Sequence, residues 1–362
     1  MALGVGKEVI LDRYIMRETF KGYALALVVL LAPVSLIELL EQFEDVGDQA
    51  YSGAHAFGFV VLTMPTKCIA LLPFAILLGA LYGLANLARC SELTVIRNLG
   101  VANLRIALPV LLSAGLLLGL AVALDNYLAS PLNRTASLSR DFFLAKEGEL
   151  LRGSGFWTRN ERTYVNVGSL KWGQIPGDIR IFELGDEGQV KRVIQAEYAR
   201  VDERSGEWLL IDVDTRDFES TQVSRQVISE LPWKPFWLAS MPMQTLPFES
   251  LSLGELREYI DYLRTTGQQT HRARLNLWQR LTLPLTGLGM AFLAVPFAIG
   301  GARERTFTRK LMTGALVGIG FYLGTQITAS AALLAEIEPS LIALAPSAVA
   351  GSLGGYLLHR GI

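Results

Sequence analysis

Long apolar runs alternate with polar blocks along this chain. Six of the runs are long enough to cross a bilayer core of roughly 30 Å, which takes about 20 mostly apolar helical residues. They lie at about Tyr23–Leu40, Ala56–Leu87, Ile106–Leu128, Leu275–Ile299, Leu311–Leu334 and Leu341–Leu358. The second is overlong, on the order of 48 Å if straight at 1.5 Å per residue. It contains Pro65 and Pro73, which predicts a kinked or tilted helix.

Between the third and fourth runs the period changes from helical to two. Leu209, Ile211 and Val213 alternate with Leu210, Asp212 and Asp214; Ile179 and Ile181 flank Arg180; Tyr164-Val-Asn-Val167 is similar. Turn signals separate these strands at Ile175-Pro-Gly-Asp178, Gly185-Asp-Glu-Gly188 and Asp202-Glu-Arg-Ser-Gly206. Short strands at that spacing predict a sandwich or jelly roll, acting as a passive lid or as a docking surface through strand edges. The block closes with a predicted amphipathic helix. Ser252 and Glu255 form a capping box, Leu253, Leu256, Ile260 and Leu263 share a face, and Gly267 is the stop. The expected fold is therefore an α-helical membrane protein with six transmembrane helices and an all-β, jelly-roll-like insert. Residues 1–128 carry spans one to three, 129–270 the insert and 271–362 spans four to six.

Lys and Arg in the short flanks set the orientation. Lys7, Arg13, Arg17 and Lys21 precede span one; Arg89, Arg97 and Arg105 lie between spans two and three. Arg303, Arg305, Arg309 and Lys310 join spans four and five, and Arg360 follows span six. The opposite loops offer Glu41, Glu44, Asp45 and Asp48, then Glu336 and Glu338. Both termini are expected in the cytoplasm and the insert outside the cytoplasmic membrane. No small-residue cleavage site follows the basic start, so a retained first span is expected rather than a signal peptide.

On the cytoplasmic side lies Ala88-Arg-Cys-Ser-Glu-Leu-Thr-Val-Ile-Arg-Asn-Leu-Gly100. Ser91 reads as an N-cap, Glu92 suits the first turn, and Gly100 is a C-terminal stop. Leu93, Ile96 and Leu99 make one apolar strip with Val95 beside it, while Glu92 and Arg97 are polar. Such a helix either lies on the membrane surface or couples to a cytosolic motor through its strip.

The composition, 51% hydrophobic and 19% charged with a net charge of −1, excludes a nucleic-acid partner recruited by overall charge. Two cysteines, Cys68 and Cys90, exclude a disulfide framework. No GxxxxGK[ST] loop is present, so the chain has no nucleotide site of that kind. His55, His271 and His359 are scattered without metal-ligand spacing, and Gly153-Ser-Gly155 lacks the GxSxG context of a nucleophile turn. Neither catalysis nor a metal site is expected. The functional candidates are instead the charges in or near spans: Glu38, Lys67 and Arg280. They either snorkel or pair, as Glu38 with Lys67, or they wall a cavity for an amphiphile with anionic groups.

Ile10-Leu-Asp-Arg-Tyr-Ile15 resembles the LptF/LptG permeases of lipopolysaccharide export. So do Leu78-Gly-Ala-Leu-Tyr-Gly-Leu84 leading into Ser91–Gly100, Arg274-Leu-Asn-Leu-Trp-Gln-Arg-Leu281 and Leu283-Pro-Leu285. The Leu-Asp-Arg-Tyr-Ile start is more similar to the LptG branch, and the resemblance covers essentially the whole chain. It implies a permease subunit in the inner membrane of a Gram-negative bacterium, paired with an LptF-like six-span counterpart. An LptB-like ATPase dimer, holding ATP and Mg2+, would bind beneath. The pair would take lipopolysaccharide from the membrane and pass it, through periplasmic jelly rolls and an LptC-like protein, to a bridge toward the outer membrane. The same resemblance makes Ser91–Gly100 the coupling helix, with Ser91, Glu92, Leu93, Ile96, Arg97 and Leu99 at the ATPase and Glu92 as the acidic contact. It also sets Arg13 and Arg17 beside a lateral gate formed by spans one and five.

One departure matters. Where relatives carry Lys at the outer end of span one, this chain has Glu38, Glu44 and Asp45. Lipid phosphates would then fall to Lys67, Arg280, Arg272 and Arg274, to the partner subunit, or to divalent cations bridging acid and phosphate. Two other classes stay open: a secondary transporter built on a three-plus-three repeat, and a membrane scaffold that docks periplasmic proteins without transport.

Overall fold

The computed structural model describes residues 2–48, 50–144, 156–160, 162–171, 175–185, 188–201, 207–219, 222–235, 247–265, 268–299, 307–334 and 337–359. The chain divides into two compact units. One comprises residues 1–38, 64–129 and 271–362; the other comprises 39–63 and 130–270.

The first unit is helical. Helix α1 (Ala2–Glu44) begins well before the predicted first span. The basic stretch continues the helix because Ile15 and Thr19, four residues apart, are buried on one side of it. Asp12 also accepts both arms of the Arg105 guanidinium, at 2.7 and 2.8 Å. Arg13 and Arg17 therefore lie inside α1, not in a flank ahead of it. Helix α2 (Gly53–Arg89) runs through Pro65 and Pro73 as one element of 37 residues. The short α3 (Glu92–Asn98) follows, then α4 (Asn103–Leu124). A π-helical turn, Asp125–Ala129, leads from α4 into α5 (Ser130–Leu144), which belongs to the second unit. The apolar signal stops at Leu128 but the helix does not, because loss of hydrophobicity alone does not break a hydrogen-bond ladder.

Three further helices complete this unit: α7 (His271–Ile299), α8 (Phe307–Leu334) and α9 (Pro339–His359). Among the described residues five helices are long and apolar enough to cross a bilayer, namely Ile10–Glu44, Gly53–Arg89, Leu104–Leu144, His271–Ala298 and Pro339–His359. Helix α8 occupies the place of the predicted fifth span but is not among the five.

The core of the helical unit is built from α2, α4 and α7, with Ile76, Leu77, Leu81, Val110, Leu118 and Met290 among its buried members. Helix α1 adds Ile15 and Tyr23 to this core and is also held by close backbone approach. Gly22 faces Gly79 so tightly that a methyl group on either would overlap the other's backbone. A Cβ on Gly83 would sit 2.9 Å from the Glu18 carbonyl oxygen. Gly79 and Gly83 are the small-xxx-small spacing that lets two helices meet in lipid. Hydroxyls add direction. Thr19 and Tyr23 on α1 lie 3.0 and 3.1 Å from the Ser113 hydroxyl on α4, and Ser113 donates to the Val110 carbonyl at 2.8 Å.

Among its described residues the second unit contains six strands: β1 (Phe156–Asn160), β2 (Thr163–Lys171), β3 (Ile175–Leu184), β4 (Val190–Val201), β5 (Trp208–Glu219) and β6 (Gln222–Trp233). They form one antiparallel sheet in sequential order. This is an up-and-down meander among the described residues, in place of the sheet-to-sheet strand crossings a sandwich or jelly roll uses. Short turns favour pairing each strand with its sequence neighbour. The alternation predicted for β5 also needs correction. Its residues in the sheet core are Trp208, Leu210 and Val213, with Thr215 buried in phase with Val213 and Ile211 buried outside that cluster, so the core face changes phase near Asp212. Asp212 takes φ 53° and drops out of the pairing with both β4 and β6. That break turns Leu210 rather than Leu209 into the core.

A 3-10 turn (Phe248–Ser250) precedes α6 (Leu253–Thr265), and the capping box forms. The Ser252 amide donates to the Glu255 carboxylate at 2.8 Å, and the Glu255 amide to the Ser252 hydroxyl at 3.3 Å. Leu256 and Leu263 are buried, whereas Tyr262 packs against the sheet core. The predicted stop Gly267 lies outside the described residues. Burial pushes the Glu255 carboxyl up, but the Ser252 amide and hydroxyl and the Arg134 guanidinium on α5 together hold it below the usual glutamate range. A folded pKa below the unfolded value of about 4.3 gives stability that is complete above that pH and is lost as pH falls through it. Glu255→Gln should therefore flatten the acid limb of the unfolding transition of α6. Circular dichroism or hydrogen exchange titrated from neutral to acidic pH checks this.

Candidate functional site

The short helix is positioned by a reversal of the chain after α2. The Cys90 amide bonds the Asn86 carbonyl at 3.1 Å and the Ser91 amide bonds the Ala88 carbonyl at 3.0 Å, closing α2. Ser91 then takes φ 62°, the left-handed region, and its carbonyl accepts the Val95 amide at 3.1 Å. It acts as the hinge between two helices and not as an N-cap, which has extended backbone. Gly100, at φ 83°, ends the element in the conformation glycine tolerates best.

The expected single apolar strip is split. Leu93 and Ile96 are 3% and 8% exposed and belong to the chain's own helical core. Val95 and Leu99, 57% and 78% exposed, face away from it. At about 100° per residue Val95 and Leu99 lie roughly 40° apart, while Val95 is nearly opposite Leu93. The pattern thus contained two faces, not one. Glu92, in the first turn, accepts the Tyr14 hydroxyl of α1 at 2.8 Å, so its carboxylate is oriented by a neighbouring helix. Arg97 lies within α3, and its side chain is outside what is described.

The charges in the spans are mostly compensated within the chain. Lys67 on α2 is ion-paired with Glu38 on α1, both largely sheltered. Arg280 on α7 reaches Asp125 in the π turn, at 2.9 Å from Nε and 2.7 Å from Nη2, and both side chains are about 14% exposed or less. Arg274 pairs with Glu338 at the start of α9, in a more exposed setting. Arg272 is exposed and has no carboxylate partner among the described residues. Of the four cations expected to meet lipid phosphates, three are thus matched by a carboxylate. Tyr14, Asp125 and Glu338 are the partners that sequence reasoning missed. Asp125 had a visible signal, being a lone carboxylate at the end of an apolar run.

Sheltered pairs have a known asymmetry: removing one partner strands the other charge and costs about 3–5 kcal/mol in a fully buried case. Lys67→Ala should therefore lower the detergent-solubilised melting temperature markedly. Lys67→Ala combined with Glu38→Ala should recover most of the loss. Equal melting for the single and double variants would show that the pair does not hold α1 to α2.

Elsewhere, His55 accepts the Ser52 amide at 3.1 Å and stacks on Phe143. No group of three or more His, Cys, Asp or Glu side chains suited to a metal occurs among the described residues.

Residues 13–360 match the family described as lipopolysaccharide export system permease LptF/LptG. The lipopolysaccharide export system permease protein LptG of Escherichia coli (strain K12) is 28% identical over 353 residues, covering 97% of this chain and 98% of its own. The LptG of Haemophilus influenzae is 28% identical over 355 residues, again covering 97% and 98%. A match along nearly the whole length, through both the helices and the sheet between them, makes this chain a member of the LptF/LptG family of lipopolysaccharide export system permeases.

Proposed function

We propose that the chain is the LptG-type permease subunit of an ATP-driven exporter that lifts lipopolysaccharide from the inner membrane toward a periplasmic bridge. It works as a transporter subunit and not as an enzyme. ATP and Mg2+ are held by an LptB-like ATPase dimer, and the second half of the translocation path comes from an LptF-like permease. An LptC-like membrane-anchored protein receives the lipid. The chain crosses the membrane six times, with α8 as the fifth span, both termini in the cytoplasm and the sheet unit in the periplasm. The distribution of Lys and Arg over the short loops supports that orientation.

The observation that carries the proposal is the full-length family match, to which the geometry of α3 adds a mechanism. Leu93 and Ile96 root the short helix in the core of α2 and α4, while Val95 and Leu99 project from it. A rooted helix with an exposed apolar pair can transmit a push from a motor to the spans. Arg272 is the cation left open for an anionic lipid group, whereas Lys67, Arg280 and Arg274 would have to exchange a carboxylate for a phosphate. The test is depletion of the protein in its host with lipopolysaccharide followed by fractionation. Lipopolysaccharide should accumulate in the inner membrane and reach the surface again when the gene is restored. Unchanged surface lipopolysaccharide under full depletion would overturn the proposal.

A further inference from the structure

Helix α1 carries a basic groove near its N-terminal end. Asp12, Arg13, Met16, Arg17, Phe20 and Lys21 line an open concavity of about 780 Å³. Arg13, Arg17 and Lys21 follow one another at four-residue spacing, so their heads stack along one side of the helix. Met16 and Phe20 lie between them and supply an apolar wall. The groove ends where the apolar part of α1 begins, at Tyr23, which is the level of lipid headgroups if α1 spans the bilayer.

The charges here are unequal in their freedom. Asp12 is occupied by the two-armed Arg105 contact, and Glu18 accepts Lys21 at 2.6 Å. Arg13 and Arg17 are exposed and have no carboxylate partner among the described residues. Two unmatched guanidiniums beside an apolar wall are suited to a phosphate with an acyl chain attached, since guanidinium binds phosphate with two parallel hydrogen bonds. Basic pockets at the cytoplasmic ends of spans hold anionic headgroups by the same attraction.

We propose that this groove binds the headgroup of an anionic phospholipid from the leaflet on the N-terminal side of α1. Arg13 and Arg17 clamp the phosphate and Phe20 packs on the acyl chain. The bound lipid anchors α1 at a fixed depth. This goes beyond export: the ligand is a resident lipid, distinct from the cargo.

The test uses the intact chain with its accompanying subunits in nanodiscs of phosphatidylcholine. A phosphatidylglycerol with a photoactivatable acyl chain is the probe, and labelling of the α1 peptide is read by mass spectrometry. Labelling should fall roughly thirtyfold in Arg13→Gln/Arg17→Gln, the loss implied by removing two cations near an anionic headgroup. It should largely persist in Arg13→Lys/Arg17→Lys and be weak with a phosphatidylcholine probe. The single Arg→Gln variants should each show a partial loss, which decides the matter if the double variant does not accumulate. Equal labelling by both probes, or undiminished labelling in the Gln variants, would overturn the proposal. Displacement by millimolar inorganic phosphate, or by equimolar lipopolysaccharide, would assign the groove to free phosphate or to cargo and equally overturn it. Subunit co-purification with the unsubstituted chain, read separately from the labelling, tests the permease function whichever way the labelling falls.

Discussion

Val95→Glu combined with Leu99→Glu is expected to abolish capture of the ATPase while leaving the chain folded and inserted. Both side chains point away from the helical core, so the charges created are solvated in the free subunit. At a docked interface the same charges would be desolvated without partners. Losing two apolar anchors that each contribute about 2 kcal/mol or more weakens association by roughly three orders of magnitude. Leu93→Glu is the contrasting substitution. Leu93 lies in the core shared by α2 and α4, and a carboxylate there has no partner, so the expected result is loss of folded protein from the membrane. Co-purification yield and membrane accumulation, measured side by side for the two variants, separate the outcomes. Normal ATPase capture by Val95→Glu/Leu99→Glu would remove α3 from the coupling interface.

The second large effect is expected at Gly79. A side chain at this position meets the backbone of Gly22 and Tyr23 on α1, which cannot yield without the helices moving apart. Gly79→Val should therefore detach α1 from α2. The Glu38–Lys67 pair and the Thr19–Ser113 and Tyr23–Ser113 contacts would be lost with it. Overpacking in an ordinary core costs about 1–3 kcal/mol, and a backbone-to-backbone contact lies at or above the top of that range. By contrast, Gly119→Val, facing open space, should be tolerated. Thermal melting in detergent, or cysteine cross-linking between α1 and α2, distinguishes the two. Similar melting temperatures for Gly79→Val and Gly119→Val would show that the close approach does not matter.

The helical architecture was legible because it depends on long-range averages: an apolar run of span length is helical almost whatever its details. The same averaging hid the helix ends. Where hydrophobicity stops, at Lys21 or Leu128, helical hydrogen bonding continues, as α1 and the α4–α5 passage show. The strands of the insert were visible from their alternation. Their sheet order and the phase change at Asp212 depend on pairing and on one left-handed residue, neither of which a period of two encodes.

For the short helix, its place and its glycine stop were legible, and its two-sidedness could have been counted from the spacing of Leu93, Val95, Ile96 and Leu99. The hinge at Ser91 was not readable, since serine is a common N-cap and the left-handed conformation is imposed by the reversal from α2. The partners of the span charges were half legible. Glu38 and Lys67 announced each other by sharing a depth, whereas Arg280 and Asp125 meet only because α4 packs on α7.

Export by a multi-subunit permease is tested most directly by what the protein holds in the membrane. The chain, tagged and purified from native membranes in mild detergent, should bring with it an LptB-like ATPase and a second six-span permease in every preparation. Both should be lost together in Val95→Glu/Leu99→Glu only if the partner permease depends on the ATPase; otherwise the ATPase alone should be missing. Reproducible purification of the chain without either partner would contradict the proposed function.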